Sequence, residues 1–151
     1  MKIAGIIAEY NPFHAGHAHH IAETRRRAGE CAVIAVMSGN FVQRGDCAVT
    51  DKWTRARAAL EGGADLALEL PTVWAVSSAE HFARGAVSIL KAAGADTLSF
   101  GSESGGADAL ARAARALDSP EFRAELRRHL DAGLPFARCR QLAAETLLGR
   151  S

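Results

Sequence analysis

Three features of the sequence predict an α/β fold: a Rossmann-like doubly wound parallel sheet with a helical C-terminal part. The segments Lys2 to Ala8 and Cys31 to Met37 are nearly unbroken apolar runs of strand length, as expected of strands buried on both faces. Strand-like runs alternate with stretches of helical spacing, and that alternation builds a parallel sheet with helices on both sides. After Gly105-Gly106 the strand signals stop and only helical ones remain.

Between the first two runs, a turn punctuated by Gly and Pro leads into a crossover helix over 17–28 that Gly29 ends, which completes a βαβ unit. Thr50 is placed to cap a second helix through Leu60, which stops at Gly62-Gly63. Asp65 to Leu70 reads as a third strand bounded by Pro71. Ser77 and Glu80 have capping-box spacing ahead of a helix on which Phe82, Ala86, Ile89, Leu90 and Ala93 recur at helical intervals up to Gly94. Asp96 to Phe100 is the fourth strand, and the expected order across the sheet is 3-2-1-4. Leu110, Ala114 and Leu117 mark a further helix, Pro120 and Pro135 suit first helical turns, and Gly133 and Gly149 are stops. These signals divide the chain into an α/β core over 1–104 and a helical extension of the same domain over 105–151.

A chain of 151 residues has the length of one domain and needs neither metal nor disulfide to fold. Its 48% hydrophobic and 23% charged residues are the balance of a globular protein and exclude a disordered or fibrous one. No apolar run approaches the ~20 residues of a membrane span, and the N-terminal apolar run is too short for a signal peptide, so a cytoplasmic protein is expected. A net charge of +1 provides no bulk field for a polyanionic partner. Cys31, Cys47 and Cys139 lack CxxC spacing and are expected as reduced thiols, the first and last packed inside.

In a doubly wound sheet, ligands bind beyond the carboxyl ends of the strands, where strand order reverses. At that place, directly after the first strand, the chain reads Glu9-Tyr10-Asn11-Pro12-Phe13-His14-Ala15-Gly16-His17. Gly16 lets a ligand approach the backbone, while His17 and the first helical amides face an anion that the helix dipole favours. The phosphates of a nucleotide fit this description. No GxGxxG follows the first strand, and no GxxxxGK[ST] occurs. Imidazole donors at the non-bridging oxygens of an α-phosphoryl group stabilise the transition state of attack there. Pyrophosphate then leaves, and the protein needs no covalent nucleophile. Mg²⁺ is expected on the leaving phosphates, with no protein ligand for it identified.

The run NPFHAGH over 11–17 resembles the HxGH signature of the nucleotidylyltransferase superfamily. Joined by VMSGNFVQRGD at 36–46, KWTRARAALEGGADLALELP at 52–71, AEHFARGAVSIL at 79–90 and FGSES at 100–104, it resembles more narrowly the tRNA(Met) cytidine acetate ligase family, from Lys2 to about Leu148. That resemblance implies that ATP and acetate form acetyl-adenylate, whose acetyl group passes to N4 of the wobble cytidine of elongator tRNA(Met). It also implies an ATP-binding stretch over Ile7, Ala8, Glu9, Tyr10, Asn11, Pro12, Phe13, Gly16 and His20, with a further ATP contact at Gly101. The family's Asn-rich motif, arginine pair and helical tRNA-binding part are expected to lie beyond these residues, so tRNA is expected as a partner only where that part is supplied. Alternatives are a nucleotide-binding module without full activity and a nucleotidylyltransferase for another small substrate. The oligomeric state is left open.

His14 and His17 are thus the expected catalytic pair. Arg44 and Lys52, with Gln43 nearby, are candidates for the acetate or for the β- and γ-phosphates, since a guanidinium fork matches a carboxylate. Ser38, Gly39 and Asn40 end the second strand beside the motif and either offer backbone amides to a small carboxylate or form a tight turn. Gly101 and Ser102 suit adenine or ribose, with a positive-φ loop glycine as the competing account. Glu9 orients a histidine, holds Mg²⁺ through water, or is solvated. Asn11 and Pro12 shape the bend, and the Asn11 side chain either touches ligand or does not.

His14, His17, His19 and His20 invite a metal reading, but no nearby carboxylate or cysteine completes a geometry, and no metal ligand is assigned. His20, one turn on from His17, either touches the nucleotide or lies on a partly exposed helix face. Trp53 and Arg55 are expected to pack the second helix against the sheet, and Trp74 to join the core. The basic face of Arg123, Arg127 and Arg128 is interleaved with acids and reads as solvated, with contact to tRNA as the alternative.

Overall fold

The computed structural model describes residues 1–102 and 106–149, which form two compact units divided after Gly101. The expected boundary at 104/105 and the last two residues of the FGSES segment, Glu103 and Ser104, lie outside the described residues.

In the first unit β1 (Lys2–Ala8), α1 (Ala15–Ala28), β2 (Cys31–Ser38), α2 (Lys52–Glu61), β3 (Leu66–Leu70), α3 (Thr72–Ala75), α4 (Ala79–Ala92) and β4 (Thr97–Ser99) follow in order. The strands are all parallel and lie in the order β3-β2-β1-β4, as the alternation of elements requires. Ala8 stands level with Met37, and Ile6 with Ser99, so β1, β2 and β4 deliver their following residues to one edge of the sheet. That shared edge is where the site forms.

Both sheet faces are covered. On one, Ala4, Ile6, Val33, Ala35 and Met37 pack with Ile21 of α1 and Ala59 of α2. On the other, Ile34, Val36 and Leu70 meet Ala75 of α3 and Phe82, Ala86 and Leu90 of α4. Successive residues of β2 point alternately into the two layers, which is why its sequence shows no polar alternation. Each fully buried Leu, Ile or Phe contributes about 1.5–3 kcal/mol.

Several element ends differ from the sequence reading, because polar side chains form other hydrogen bonds there. The cap of α2 is Asp51 rather than Thr50: its carboxylate accepts from the amides of both Trp53 and Thr54 at 3.0 Å. Ser78, not Ser77, caps α4. Ser77 instead donates to Trp74 O at 2.6 Å and closes α3, a turn the sequence did not announce. Asp96 accepts from the Ile3 amide at 3.2 Å and precedes β4 instead of starting it. Trp53 departs most: it is 75% exposed instead of packed on the sheet, with the Lys52 ammonium 5.4 Å from its ring centre. Trp74 packs against the second core layer as expected.

The second unit holds α5 (Ala107–Leu117), α6 (Pro120–Asp131) and α7 (Phe136–Leu148). Ser119 caps α6 ahead of Pro120, and Phe122, Cys139 and Ala143 are buried. Arg123, Arg127, Arg128 and Asp131 line an open groove, and Arg128 pairs with Glu125 at 2.5 Å. Among the described residues no helix is long and apolar enough to cross a membrane.

Candidate active site

The chain leaves β1 through an unusual bend. Tyr10 takes φ 49, a left-handed conformation for a residue with a side chain, and the Asn11–Pro12 peptide is cis. The bend turns the Tyr10 ring into the core, where it is 2% exposed and lies edge-on to Phe13 (5.0 Å) and His17 (4.9 Å). Burial pushes the Tyr10 hydroxyl up to about 12, so it takes no part in proton transfer near neutral pH. Phe13 packs on the same layer over Gly62, where any Cβ would strike its ring.

The opening of α1 explains the spacing of the histidines. His14 is the N-cap, and its Nδ1 accepts from the Gly16 amide at 3.1 Å. His17, three residues on, returns its own Nδ1 to the His14 amide at 3.2 Å, so that two imidazoles form a reciprocal capping box. The rings stack with centres 3.8 Å apart and planes at 28°. Gly16 is required because a Cβ there would lie 2.9 Å from His14 Cε1.

A backbone N–H donates only to an unprotonated nitrogen. Both neutral rings therefore carry their proton on Nε2, which makes the pair two adjacent N–H donors at a helix N-terminus. Burial first, then the neighbouring His14 and His20, hold the pKa of His17 below its ordinary value. His20 is lowered too, by burial and then by His19.

These shifts make stability depend on pH with a definite sign. Folded-state values below the unfolded value of about 6.5 mean that the unfolded chain takes up protons first on acidification. The His17 and His20 contribution is complete above about pH 6.5 and is lost as pH falls from there towards the folded-state values. The lowered carboxyls of Asp51 and Asp96 act in a separate window, below about pH 4. The thermal midpoint should fall between pH 7 and pH 5, and less steeply in His17→Gln; a flat profile over that range would contradict the assignment.

Around the pair, side chains hold backbone in place. Glu9 Oε1 accepts from the Gln43 amide at 2.7 Å and fixes a 3-10 turn, Gln43–Gly45, in which Arg44 takes φ 78. Asn11 Oδ1 accepts from the Val49 amide at 2.7 Å. Each thus ties a loop to the bend. Lys52 Nζ lies 2.6 Å from Glu69 Oε2.

The residue that sequence reasoning undervalued is Arg55, expected only to pack. It is 1% exposed, and its guanidinium donates to Glu9 O at 2.7 Å, Ser38 O at 3.1 Å, Thr50 O at 3.2 Å and Gly39 O. One buried cation therefore joins the ends of β1 and β2 to the segment entering α2. Burial lowers its pKa, while Asp51, Glu9 and Glu69 oppose that shift. The available signal was an arginine four residues after the Asp51 cap and one turn before the buried Ala59. Thr24 and Ser99 were missed altogether.

Ile7 through Pro12, together with His14, His17 and His20, line one cleft of about 390 Å³. Phe13 and Gly16, expected in the nucleotide-binding stretch, are not among the residues that line it. Ser38 is fully buried, its hydroxyl 3.4 Å from Glu9 O, with Gly39 and Asn40 following. Arg44, Lys52, Gly101 and Ser102 do not line the cleft. Gly101 is exposed and has no positive φ, so the competing conformational account does not apply to it. His19 is exposed.

Glu9 is the carboxylate of the cleft, and one of its oxygens is held by Gln43. Among the described residues no three His, Cys, Asp or Glu side chains converge on a point that could hold a metal ion. These residues do not form a magnesium cage.

Residues 1–150 match the family model for the HIGH Nucleotidyl Transferase. A protein of Alkaliphilus metalliredigens named tRNA(Met) cytidine acetate ligase is 49% identical over 146 residues, covering 95% of this chain and 34% of that protein. Its namesake in Syntrophotalea carbinolica is 54% identical over 118 residues, 78% of this chain and 28% of that one. The apo crystal structure of Thermotoga maritima TmcAL superposes with a TM-score of 0.93 at 43% identity, covering 99% of this chain and 36% of that one. The same enzyme bound with alpha-thio ATP superposes at 0.92 and 44% identity. The chain spans about a third of the length of these relatives. With a parallel sheet in the expected order and HxGH opening its first helix, this chain belongs to the HIGH nucleotidyl transferase family.

Proposed function

We propose that this chain is the ATP-dependent, adenylate-forming part of a tRNA(Met) cytidine acetate ligase acting in the cytoplasm. The observation that carries this reading is the stacked His14–His17 pair, which caps the N-terminus of α1 and lines the cleft. An oxygen of acetate attacks the α-phosphorus of ATP, the new bond joins that oxygen to phosphorus, and the bond to the bridging oxygen breaks. Pyrophosphate departs with the electron pair. Charge grows on the non-bridging α-oxygens, and two donors already fixed by backbone amides meet it without reorganising. Arg44 and Lys52 serve the acetate or the outer phosphates, Lys52 by exchanging its Glu69 partner for an anion. Backbone amides at Ser38, Gly39 and Asn40 receive the carboxylate, and Gly101 and Ser102 the nucleoside. Mg²⁺ would supply charge neutralisation on the leaving phosphates. The acetyl group then goes to the wobble cytidine of elongator tRNA(Met), bound by a part of the ligase beyond these residues.

That the alpha-thio ATP complex of the Thermotoga maritima protein superposes on this chain supports the nucleotide half of the proposal. Acetate-dependent exchange of labelled pyrophosphate into ATP tests it directly. Exchange with acetate is the expected result. ATP binding with no exchange under any acid would instead make the chain a nucleotide-binding module. Exchange with a different acid would redirect the substrate.

A further inference from the structure

The third histidine of the cleft has the opposite hydrogen-bonding character to the first two. His20 Nε2 lies 3.0 Å from Ser99 Oγ, Ser99 Oγ lies 2.6 Å from Thr24 Oγ1, and Thr24 Oγ1 donates to His20 O at 2.8 Å. Each hydroxyl has a single proton, which settles the direction of every bond. Thr24 spends its proton on the His20 carbonyl, so it must accept from Ser99. Ser99 spends its proton on Thr24, so it must accept from His20. The ring therefore carries its proton on Nε2, inside a closed circuit that begins and ends on His20, and Thr24 is 4% exposed within it.

With Nε2 committed, Nδ1 is left as a lone-pair acceptor on a residue that forms part of the cleft wall. An acceptor is unfavourable beside a phosphate oxygen and favourable beside a hydroxyl. The displacement from His17 along α1 is three residues, ~4.5 Å. That spans the step from an α-phosphate to the hydroxyls of its ribose, and falls short of the amine at the far side of the base. The circuit also reaches β4, whose end precedes Gly101.

Resting on the reading that this cleft binds ATP, we propose that His20 is a specificity-determining residue whose Nδ1 accepts a hydrogen bond from a ribose hydroxyl and so selects ribonucleotides over deoxynucleotides. The bond adds to ground-state and transition-state binding alike, so it acts on nucleotide affinity rather than on the chemical step. The lowered pKa of His20 keeps the acceptor unprotonated at neutral pH.

The test is calorimetry of ATP, 2′-deoxy-ATP and 3′-deoxy-ATP with the wild-type chain, His20→Asn and His20→Phe. Loss of one neutral hydrogen bond corresponds to about a three- to tenfold change in Kd, so wild-type protein should bind one deoxy analogue weaker than ATP by that factor. His20→Asn, which keeps an acceptor near the place of Nδ1, should retain the preference, and His20→Phe should abolish it. Equal binding of all three nucleotides by the wild type, or an unchanged preference in His20→Phe, overturns the assignment. A wild type that binds none of them overturns the ATP reading itself. Should His20→Phe fail to fold, ¹⁵N spectra of the wild-type ring decide: a proton on Nε2 is expected, and a proton on Nδ1 refutes the proposal.

Discussion

His17→Gln should lower acetate-dependent pyrophosphate exchange by about 10²–10³-fold, the cost of removing one preorganised donor from an oxyanion-type site. Glutamine is chosen because it is a natural partner in a capping box. Its side-chain oxygen takes over the bond from the His14 amide that His17 Nδ1 accepts at 3.2 Å, and the opening of α1 stays intact. What disappears is the Nε2–H donor of the ring stacked on His14, the two ring centres being 3.8 Å apart. Thermal unfolding at pH 7 should therefore change little while exchange collapses. His17→Ala removes donor and cap together and should add a stability loss of about 1 kcal/mol. Exchange in His17→Gln within about threefold of wild type would show that the imidazole is a cap alone, since a catalytic donor is worth far more.

The contrast between those variants also marks how far the sequence could be read. Parallel strands, their order and the position of HxGH at a helix opening were legible, because apolar runs without alternation and Gly-punctuated crossovers permit few topologies. The two roles of each histidine were not. Nothing in the spacing says that residue 14 caps by its ring or that residue 17 returns the bond, and Ser, Thr, Asp or Asn is the usual expectation at a cap. The polar ties were equally hidden: Glu9 to Gln43, Asn11 to Val49 and Lys52 to Glu69 join residues 17 to 38 positions apart. Trp53 misled because aromatic residues are usually buried, and here the helix face it occupies leaves it 75% exposed. Arg55 is buried as its expected packing requires, and what stayed hidden is that its donors are spent on backbone carbonyls of three segments, without which a charged residue is almost never fully buried.

Arg55→Met should cost the first unit about 3–5 kcal/mol of unfolding free energy, a large fraction of what holds a domain of this size together. The side chain is replaced at similar length, so loss of packing is small. What remains is a set of carbonyls at Glu9, Ser38, Gly39 and Thr50 deprived of their shared donor. Each buried acceptor left unsatisfied costs about 1–3 kcal/mol, and some relief through entering water brings the sum down. Arg55→Lys separates charge from geometry. An ammonium keeps the cation but cannot span carbonyls contributed by three separate segments with a planar fork, so it should recover less than half of the loss. Urea unfolding followed by circular dichroism reads both: the midpoint should shift with the slope unchanged, because the surface exposed on unfolding is the same. A loss below about 1 kcal/mol in Arg55→Met would mean that water already shares these carbonyls. The same clamp sets the backbone from which Glu9 reaches Gln43 and at which β2 ends, so in the variant that still folds, exchange should fall further than stability alone accounts for. Saturating ATP should then restore part of the midpoint, since a ligand that binds only the folded state stabilises it in proportion to the logarithm of its concentration.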